Sequence, residues 1–489
     1  MIYLFSMPRV QFYMYIVCLL LGLISCRRDN FYEGSDLVLT FSSDTLRFDT
    51  VFTNVGSATR FVKIYNPENQ PVKIDISVPN AAHSVFRINA EGVKGPVANN
   101  IEINGKDSIY VFVEVTINPD NPVSISPFII EDKIAVDVNG NRQWIYLEAY
   151  GQNANYIPSI SKGATSLLSC NLGEVTWSDP KPYVIYGILY IDSCRLVLPA
   201  GTRLYVHGGI VRNPETIYND GLIVCLPQGK IISKGTVEKP VIIQGDRLEP
   251  FYEDVKSQWV GVLLAPGSKG NILEHTTIKN SIIGVQVDSL AQLSMKSCRI
   301  YNTGNAAIIG RHSEISADNC LFYNNDGQGI LLRHGGHYQF QYCTIGSYTG
   351  QSEAVSMNNY YCYEFPCETA FLNPLDALFV NCVISGGSMD EIGIDYVGDR
   401  STLFYKFENC VVKVSELLNP KNHPDFFNYC QDCYNTKFGE KLFLNLNKND
   451  FRLDTMSVAL GKGRPIFIKD DIDGKLRKLV NPDPGCFEF

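Results

Sequence analysis

The middle of the chain repeats a pattern of apolar and polar positions every 22 or 23 residues. One position of the repeat holds Thr276, Cys298, Cys320 and Cys343. The position two residues later holds Ile278, Ile300, Phe322 and Ile345, and the position two beyond that holds Asn280, Asn302 and Asn324. The period is too short for repeats of paired helices, and the alternation of apolar with other residues is that of a strand. The pattern predicts a parallel β-helix, in which each coil lays its strands about 4.8 Å above those of the coil before.

A second column of residues supports this register. It consists of apolar runs that begin at a small residue and keep the same spacing: Gly261–Leu264, Gly284–Val287, Ala307–Gly310 and Gly329–Leu332. Asparagine suits the turns between strands, because it tolerates the left-handed conformation. Strand starts at Cys382 and Cys410 continue the series after wider gaps of 39 and 28 residues. The first gap predicts an inserted loop from about Thr349 to Pro374.

The residues before the repeat predict a second all-β domain. Short alternating strands lie between turn signals such as Asn66-Pro67 and Asn104-Gly105. The predicted strands are Leu37–Thr40, Thr45–Phe48, Arg60–Tyr65, Val72–Val78, Ile109–Ile117, Lys133–Val138 and Trp144–Ala149. This organisation is typical of an immunoglobulin-like β-sandwich.

The first 26 residues suit an export signal. Arg9 is their only charged residue, and a mostly apolar run from Val10 ends in the tetrapeptide Leu23-Ile24-Ser25-Cys26. The run is shorter than a membrane-spanning helix needs. The tetrapeptide resembles the lipobox of bacterial lipoproteins, which implies that Cys26 becomes the acylated first residue of the mature chain. An ordinary cleaved signal peptide and a short anchor are the alternatives.

Several stretches together resemble the right-handed parallel β-helix lipoproteins of Bacteroidetes-type bacteria. They are the lipobox, FDTVFTNVGSATRFVKIYNP, LVLPAGTRLYV, QWVGVLL and the ending DIDGKLRKLVNPDPGCFEF. The resemblance implies a pectin-lyase-like fold and an outer-membrane lipoprotein of the cell envelope, with the membrane face left open. Because that fold serves lyases, hydrolases and adhesins alike, the resemblance does not decide the function.

The chain is therefore predicted to be all-β, in five segments. They are a lipoprotein signal peptide (1–25), a tether (26–35), the sandwich (36–153), the β-helix (154–416) and an irregular C-terminal segment (417–489). Since a β-helix exposes a sheet edge at each end, we expect the last segment to cap one end. The formal net charge of −9, with no Lys/Arg cluster, argues against nucleic acid as a partner. Contact with the membrane is expected through the lipid anchor alone.

Nine of the 15 cysteines fall into two groups. Those of the repeat are interpreted as small buried side chains at one inward position of successive coils. Cys362 with Cys367, and Cys430 with Cys433, are the candidate disulfides, since an oxidising envelope favours bridges over a zinc site. No metal site is expected. Asp470–Gly474 resembles a fragment of a calcium loop but lacks the remaining ligands, so no cofactor is predicted.

Candidate chemistry lies on the outer surface of the coils. The inward parity of Val285 and Val287 places Asp288, Arg311 and Arg333 outward in one column. One interpretation is a solvated charge ladder. The other is an anion-binding ridge for uronic-acid or sulfated sugars, with His312 or His334 as a base and Arg333 as the cation that a β-elimination requires.

The inserted loop adds aromatic side chains to this picture. Tyr360, Tyr361 and Tyr363 offer platforms for sugar rings, or they pack over the flank of the β-helix. His334-Gly335-Gly336-His337 is interpreted as a turn rather than a metal site. The predicted function is a lipid-anchored envelope protein that binds a glycan or another envelope component without catalysis. The alternatives are a polysaccharide lyase or hydrolase acting on acidic glycans, and a structural or adhesive spacer.

Overall fold

The structure is a computed structural model that describes residues 30–52, 59–79, 81, 84–116, 128–152, 154–157, 165–212, 217–248, 250–364, 366–421, 423, 426–437 and 439–489. The predicted signal peptide and Cys26 lie outside these residues. The chain forms two compact units, Met1–Gln152 and Asn153–Phe489.

The first unit is a β-sandwich of two five-stranded sheets, with strand orders β1-β3-β8-β5-β6 and β2-β10-β9-β4-β7. Numbered in chain order, its strands are β1 Thr40–Phe41, β2 Thr45–Phe52, β3 Arg60–Tyr65, β4 Val72–Ser77, β5 Phe86–Ala90, β6 Val93–Gly95, β7 Val97–Ile103, β8 Ser108–Val115, β9 Phe128–Val138 and β10 Asn141–Gln152. The pairings are antiparallel except for β2 with β10, which is parallel.

Strict alternation explains the sandwich core. In β8, Ile109, Val111, Val113 and Val115 point inward and the residues between them face outward. The first strand begins at Thr40 rather than Leu37, although Leu37 is buried. The strands β5, β6 and β7 were not predicted from the sequence, since their apolar residues are interrupted by Asn and Gly.

The second unit is a parallel β-helix whose coils build three faces. The first face contains β12 Thr165–Leu168, β15 Ile188–Ile191, β20 Leu222–Cys225, β23 Gly261–Leu264, β26 Val285–Val287, the first halves of β29 Ile308–Asp318 and β31 Ile330–Gln341, β33 Val355–Asn358 and β38 Ile392–Asp395. The second contains β13 Gly173–Thr176, β16 Cys194–Pro199, β21 Lys230–Lys234, β24 Asn271–Glu274, β27 Gln292–Lys296, the second halves of β29 and β31, β36 Leu375–Val380, β39 Leu403–Glu408 and β41 Cys430–Gln431.

The third face forms a separate sheet. Its strands are β11 Asn155–Ile157, β14 Tyr183–Tyr186, β17 Arg203–His207, β22 Val241–Gly245, β25 Thr276–Lys279, β28 Arg299–Tyr301, β30 Leu321–Tyr323, β32 Thr344–Ser347, β37 Val383–Gly386, β40 Val411–Val412 and β42 Tyr434–Asn435. Two hairpins project from the coils, β18 Gly209–Arg212 with β19 Ile217–Asp220 and β34 Tyr360–Cys362 with β35 Ala370–Leu372. One helical turn, α1 Phe426–Tyr429, and the hairpin of β43 Phe443–Asn445 with β44 Asp450–Leu453 complete the unit.

The predicted register is present in the coils. Thr277 pairs with Arg299, Arg299 with Leu321, and Leu321 with Thr344, so the residues before them stack as the cysteine column. Cys298, Cys320 and Cys343 are buried, as predicted. Apolar rings stack inside the second face in the same way, where the centroids of Phe340 and Phe407 each lie 4.9 Å from that of Phe379. Each fully buried ring contributes about 1.5–3 kcal/mol.

Two columns of left-handed residues turn the chain at the edges of the third face. Asn280, Asn302 and Asn324 have φ angles of 63°, 55° and 52°, and Asn324 donates a side-chain hydrogen bond to Asn302. The residues that precede the cysteines form the other column: Ser297, Asn319, Tyr342, Asn381, Asn409 and Asp432, with φ between 51° and 54°. Asparagine is common here because its side chain tolerates this conformation.

The cysteine column runs further than predicted, and this corrects one candidate disulfide. Val411 pairs with Tyr434, so Cys433 occupies the position one coil beyond Cys410. The β-helix therefore extends past residue 416 to Asn435. Cys430 and Cys433 are free thiols in place of the predicted bridge, and the Cys433 thiol donates to the carbonyl of Phe407 over 3.5 Å.

The other cysteines give one expected and one unexpected disulfide. Cys362 and Cys367 are joined, which closes the loop of the β34–β35 hairpin. Cys170 and Cys194, 24 residues apart, are also joined, and this pair was not predicted. Their separation is close to one coil, which was the signal available in the sequence.

The C-terminal segment packs along the flank of the third face rather than over the end of the β-helix. Phe451, Ile472 and Cys486 form a small core with Leu321 and Val383, whose side chains point outward from the sheet. The sequence predicted an end cap because the period is lost there. The outward apolar residues of the third face explain the difference, since they need a cover.

Candidate functional site

The predicted site residues meet on the outer side of the first face, where the β34–β35 hairpin rises beside the coils. Two adjacent concavities lie there, with volumes of about 530 Å³ and about 470 Å³. Both are lined by Arg311, His334 and Tyr361. Together they form a groove, which we call the arginine groove, that extends over the coils from Pro266 to Asn358 and so runs along the axis of the β-helix.

The cations of the groove are held in register by the sheet. Arg311 on β29 pairs with Arg333 on β31, so the two residues stand one coil apart, about 4.8 Å. Asp288, one coil below, has its Oδ1 3.8 Å from Nη1 of Arg311. Arg333 makes no ion pair with any residue in the described part of the chain. The column therefore presents one paired and one unpaired guanidinium to the groove.

The two histidines form the turn from the first face to the second. His312 and His334 have left-handed φ angles of 47° and 63° and follow the two arginines directly. Gly336 then has a φ of 121°, and a Cβ there would lie 2.8 Å from the backbone nitrogen of Ser313, so only glycine fits. His337 was interpreted from the sequence as part of this turn, but it lies on the second half of β31.

The environment of His334 favours the neutral imidazole. Burial lowers its pKa, and the positive charges of Arg311 and Arg333 lower it further. Its ring stands edge-on to that of Tyr361, with centroids 4.8 Å apart, and its backbone N–H donates to Oδ1 of Asn358 over 2.8 Å. A neutral imidazole beside two guanidiniums can accept a proton.

His312 differs in its surroundings. Its Nδ1 is buried and has no hydrogen-bond partner among the described residues. The side chain lines the lower concavity next to Asp288 and Ser289.

The hairpin supplies the aromatic wall. Tyr361 pairs with Phe371 across β34 and β35, and the ring of Tyr363 stands edge-on to both, at 4.8 Å and 5.4 Å between centroids. Tyr363 is 77% exposed and Phe371 50% exposed. Tyr360 lines the upper concavity and donates its hydroxyl hydrogen to Oδ2 of Asp395 over 2.5 Å. The wall thus keeps free ring surface toward solvent, as a sugar-binding platform requires.

A second groove on the second face was missed in the sequence. It has a volume of about 520 Å³ and is lined by Glu314, His337, Tyr338, Asp376 and Phe404 among others. Glu314, His337 and Asp376 occupy one register position of three successive coils, and Nδ1 of His337 lies 3.6 Å from Oδ2 of Asp376. The spacing of 23 residues between Glu314 and His337 was a signal available in the sequence, and the gap of 39 residues before Asp376 hid the third member.

Candidate metal ligands lie apart from one another in the described part of the chain. Within the described ranges, no group of three or more His, Cys, Asp or Glu side chains could hold an ion. The calcium-like Asp470–Gly474 stretch is a turn in which Oδ1 of Asp471 accepts the N–H groups of Asp473 and Lys475 at 2.9 Å and 2.8 Å. No helix among the residues that the structure describes is long and apolar enough to cross a membrane.

A comparison with protein families supports the fold of the second unit. The family described as "Right handed beta helix region" matches residues 255–360, the stretch that carries most of the arginine groove. No curated protein matches the chain.

Solved structures align over longer stretches with low scores. The catalytic domain of a GH87 α-1,3-glucanase in complex with nigerose is 11% identical over 74% of this chain and 81% of that chain, with a TM-score of 0.22. The catalytic unit of a GH87 α-1,3-glucanase from Streptomyces thermodiastaticus is 9% identical over 72% of each chain, also with a TM-score of 0.22. A PapD-like domain of human CEP192 is 9% identical over 27% of this chain and 94% of that chain, with a TM-score of 0.18. Scores this low carry no argument about chemistry, and the family match gives the second unit its fold, a right-handed parallel β-helix.

Proposed function

We propose that this protein is a lipid-anchored protein of the bacterial cell envelope whose β-helix binds an acidic glycan in the arginine groove. The observation that carries the proposal is the in-register pair Arg311 and Arg333 beside the exposed ring of Tyr363. Guanidinium groups bind carboxylates and sulfates through charge-assisted, often paired hydrogen bonds. Aromatic rings bury the C–H faces of sugars at low entropic cost.

The groove has the form of a binding site rather than of a flat charged flank. Ile309 and Leu331 lie in register at its floor, so an apolar base separates the arginine column from the hairpin wall. The Cys362–Cys367 disulfide lies in that wall and limits the freedom of the hairpin before a ligand binds. A wall ordered in advance reduces the entropy lost on binding.

Binding is tested with purified full chain and uronate-containing or sulfated oligosaccharides, by calorimetry. Affinity should fall with ionic strength, and Arg333→Ala should cost about 1–3 kcal/mol, the scale of a hydrogen bond to a charged group. Arg203→Ala is the matched control, because Arg203 is an exposed arginine on a strand of the third face. Equal losses in the two variants, or no preference for acidic over neutral sugars, would contradict the proposal and favour the spacer hypothesis.

The anchor is proposed from the lipobox resemblance. Acylation of Cys26 would hold the chain in the outer membrane, since several acyl chains on one residue bind a bilayer far more firmly than one. Replacing Cys26 by Ser should abolish fatty-acid labelling and release the protein from the membrane fraction. Unchanged labelling of the variant would refute the anchor and leave glycan binding untouched.

A lyase is the second candidate function, favoured by the neutral His334 beside two guanidiniums. In β-elimination the imidazole takes the C5 proton of a uronate while the C4–O bond breaks, and the leaving oxygen gains a proton from water. The arginines would stabilise the charge that develops on the carboxylate. Hydrolysis finds less support, because Asp288 is the one carboxylate among the described residues that line the groove, and glycosidases use two.

The lyase test uses the same polymers. Absorbance from unsaturated products should appear on incubation, and His334→Ala or His312→Ala should remove it while most binding remains. Binding without any absorbance change over long incubation would exclude the lyase and keep the binding function.

A further inference from the structure

The residues in register with Arg311 and Arg333 change the sign of their charge along the axis of the β-helix, and their column continues one coil beyond the lining of the arginine groove. Asp288, Arg311, Arg333, Asn358 and Asp395 occupy one register position of five successive coils. With about 4.8 Å between coils, the two carboxylates stand about 19 Å apart, and both cations lie between them. A ligand that runs along the groove and continues one coil past Asn358 therefore passes from negative to positive and back to negative protein charge.

The part of the groove beside Arg311 and Arg333 offers one unpaired cation, and so binds one anionic group. Arg311 is shared with Asp288 over 3.8 Å, which leaves Arg333 as the guanidinium with no ion pair among the described residues. At the other end, Asp395 accepts the hydroxyl hydrogen of Tyr360, and this hydrogen bond raises the pKa of the tyrosine. A second anion placed one coil below or two coils above the pair would face a carboxylate.

The rest of the groove is neutral and suits uncharged sugar surface. Its floor is Ile309 and Leu331, and its wall is the ring cluster of Tyr361, Tyr363 and Phe371. The neighbours of the anionic sugar would thus meet apolar and aromatic surface without a cation to balance any charge they carried.

We infer that the arginine groove selects a glycan in which single anionic groups are separated by neutral sugars, an inference that rests on the proposed glycan-binding function. Asp288 is the positioning residue for this selectivity, because it holds Arg311 and repels an anion on the adjoining sugar. A continuous polyuronate places a carboxylate on every sugar and meets this repulsion at each step.

Two polymers of equal chain length separate the possibilities: one alternates glucuronate with N-acetylglucosamine, and the other is a homopolymer of galacturonate. With the full chain, the alternating polymer should bind about tenfold more tightly per repeat, because like charges face each other only with the homopolymer. Homopolymer binding of equal or greater strength would overturn the inference while the proposed function stands. Failure of both acidic polymers to bind, on folded protein, would overturn the proposed function itself.

A substitution tests the origin of the selectivity. Asp288→Asn keeps the size of the side chain and removes its charge, so the ratio of the two affinities should fall severalfold toward one. Asp376→Asn is the control, since Asp376 lies on the second face, outside the arginine groove. An unchanged ratio in Asp288→Asn, with thermal unfolding like that of the parent protein, would show that selectivity arises elsewhere and refute the assignment.

Discussion

Replacing Arg477 should release the C-terminal segment from the flank of the β-helix. The side chain of Arg477 is 2% exposed. Its Nη1 donates to the carbonyl of Asp483 over 3.1 Å, and its Nη2 donates to Oδ1 of Asn319 over 2.8 Å and to the carbonyl of Gly485 over 2.9 Å. The guanidinium also lies 3.7 Å from the centroid of the Tyr342 ring. One side chain therefore joins the tail to two coils.

The cost of removing the Arg477 side chain follows from the carboxylate of Glu488, which stays buried. Oε2 of Glu488 lies 3.4 Å from Nη1 of Arg477, and the Glu488 side chain is 1% exposed. Removing one partner of a buried ion pair costs about 3–5 kcal/mol, because the other charge stays buried with less compensation, and for Glu488 the half-exposed Lys478, whose Nζ lies 3.5 Å from Oε1, remains as a charged partner. Arg477→Ala should lose an amount in this range. Arg452→Ala is the matched control and should lose far less, since Arg452 is 61% exposed in its ion pair with Asp450 and solvent screens that pair.

Urea unfolding followed by tryptophan fluorescence measures the difference. In a Trp144→Phe background the signal comes from Trp177 and Trp259, both in the second unit, so unfolding of the sandwich does not contribute. A double variant, Arg477→Met with Glu488→Leu, should recover part of the loss, because it removes both charges. If Arg477→Ala is no less stable than Arg452→Ala, the buried pair does not hold the segment and the reasoning is refuted.

Two further predictions concern the column of thiols and the groove. Cys320→Ser should destabilise the protein by about 1–3 kcal/mol, because a hydroxyl would replace a buried thiol whose pKa is raised by burial, and Cys320 should resist thiol reagents in the native state; ready labelling would contradict the inward register. Acidic-glycan affinity should rise as the pH falls below 6.5, because a bound anion stabilises protonated His334; the charges of Arg311, Arg333 and His312 oppose this protonation, and that of Asp288 assists it. His334→Gln should flatten this pH profile, and a pH-independent affinity in the parent protein would contradict the prediction.

The sequence predicted the coils because their spacing is visible in single residue types. Cys298, Cys320 and Cys343 repeat without insertion, so one position fixes the inward parity of everything beside it. The same signal continued to Cys433, 23 residues after Cys410, but the short Cys430-x-x-Cys433 spacing suggested a bridge instead. Coil spacing was the better guide to the position of Cys433, because the pairing of β40 with β42 places this residue in the cysteine column.

The C-terminal segment was harder to place, for a physical reason. Its contacts with the coils come from isolated residues, such as Asn381, whose Oδ1 accepts the N–H of Arg464 over 2.9 Å. Such contacts join residues far apart in the sequence and leave no period. The apolar residues that the segment covers, Leu321 and Val383, alternate with inward residues on strands of the third face. Where the outward positions of a strand are apolar as well as the inward ones, the outer face of the sheet is covered. This was the signal that could have placed the C-terminal segment.

The arginine groove depends on two kinds of structure that specify different properties. The coil ladder sets the distance between Arg311 and Arg333, because both belong to paired strands of one sheet. The β34–β35 hairpin sets the depth, because a bare coil surface is nearly flat. The sequence predicted both sets of residues and a loop beside the arginines, but not the pairing of β34 with β35 that forms the wall, since the hairpin lies within an insertion without a period. Changes in that hairpin would alter the sugar that fits while the coils keep the arginines in place, and this is how a rigid scaffold with variable loops comes to serve different ligands.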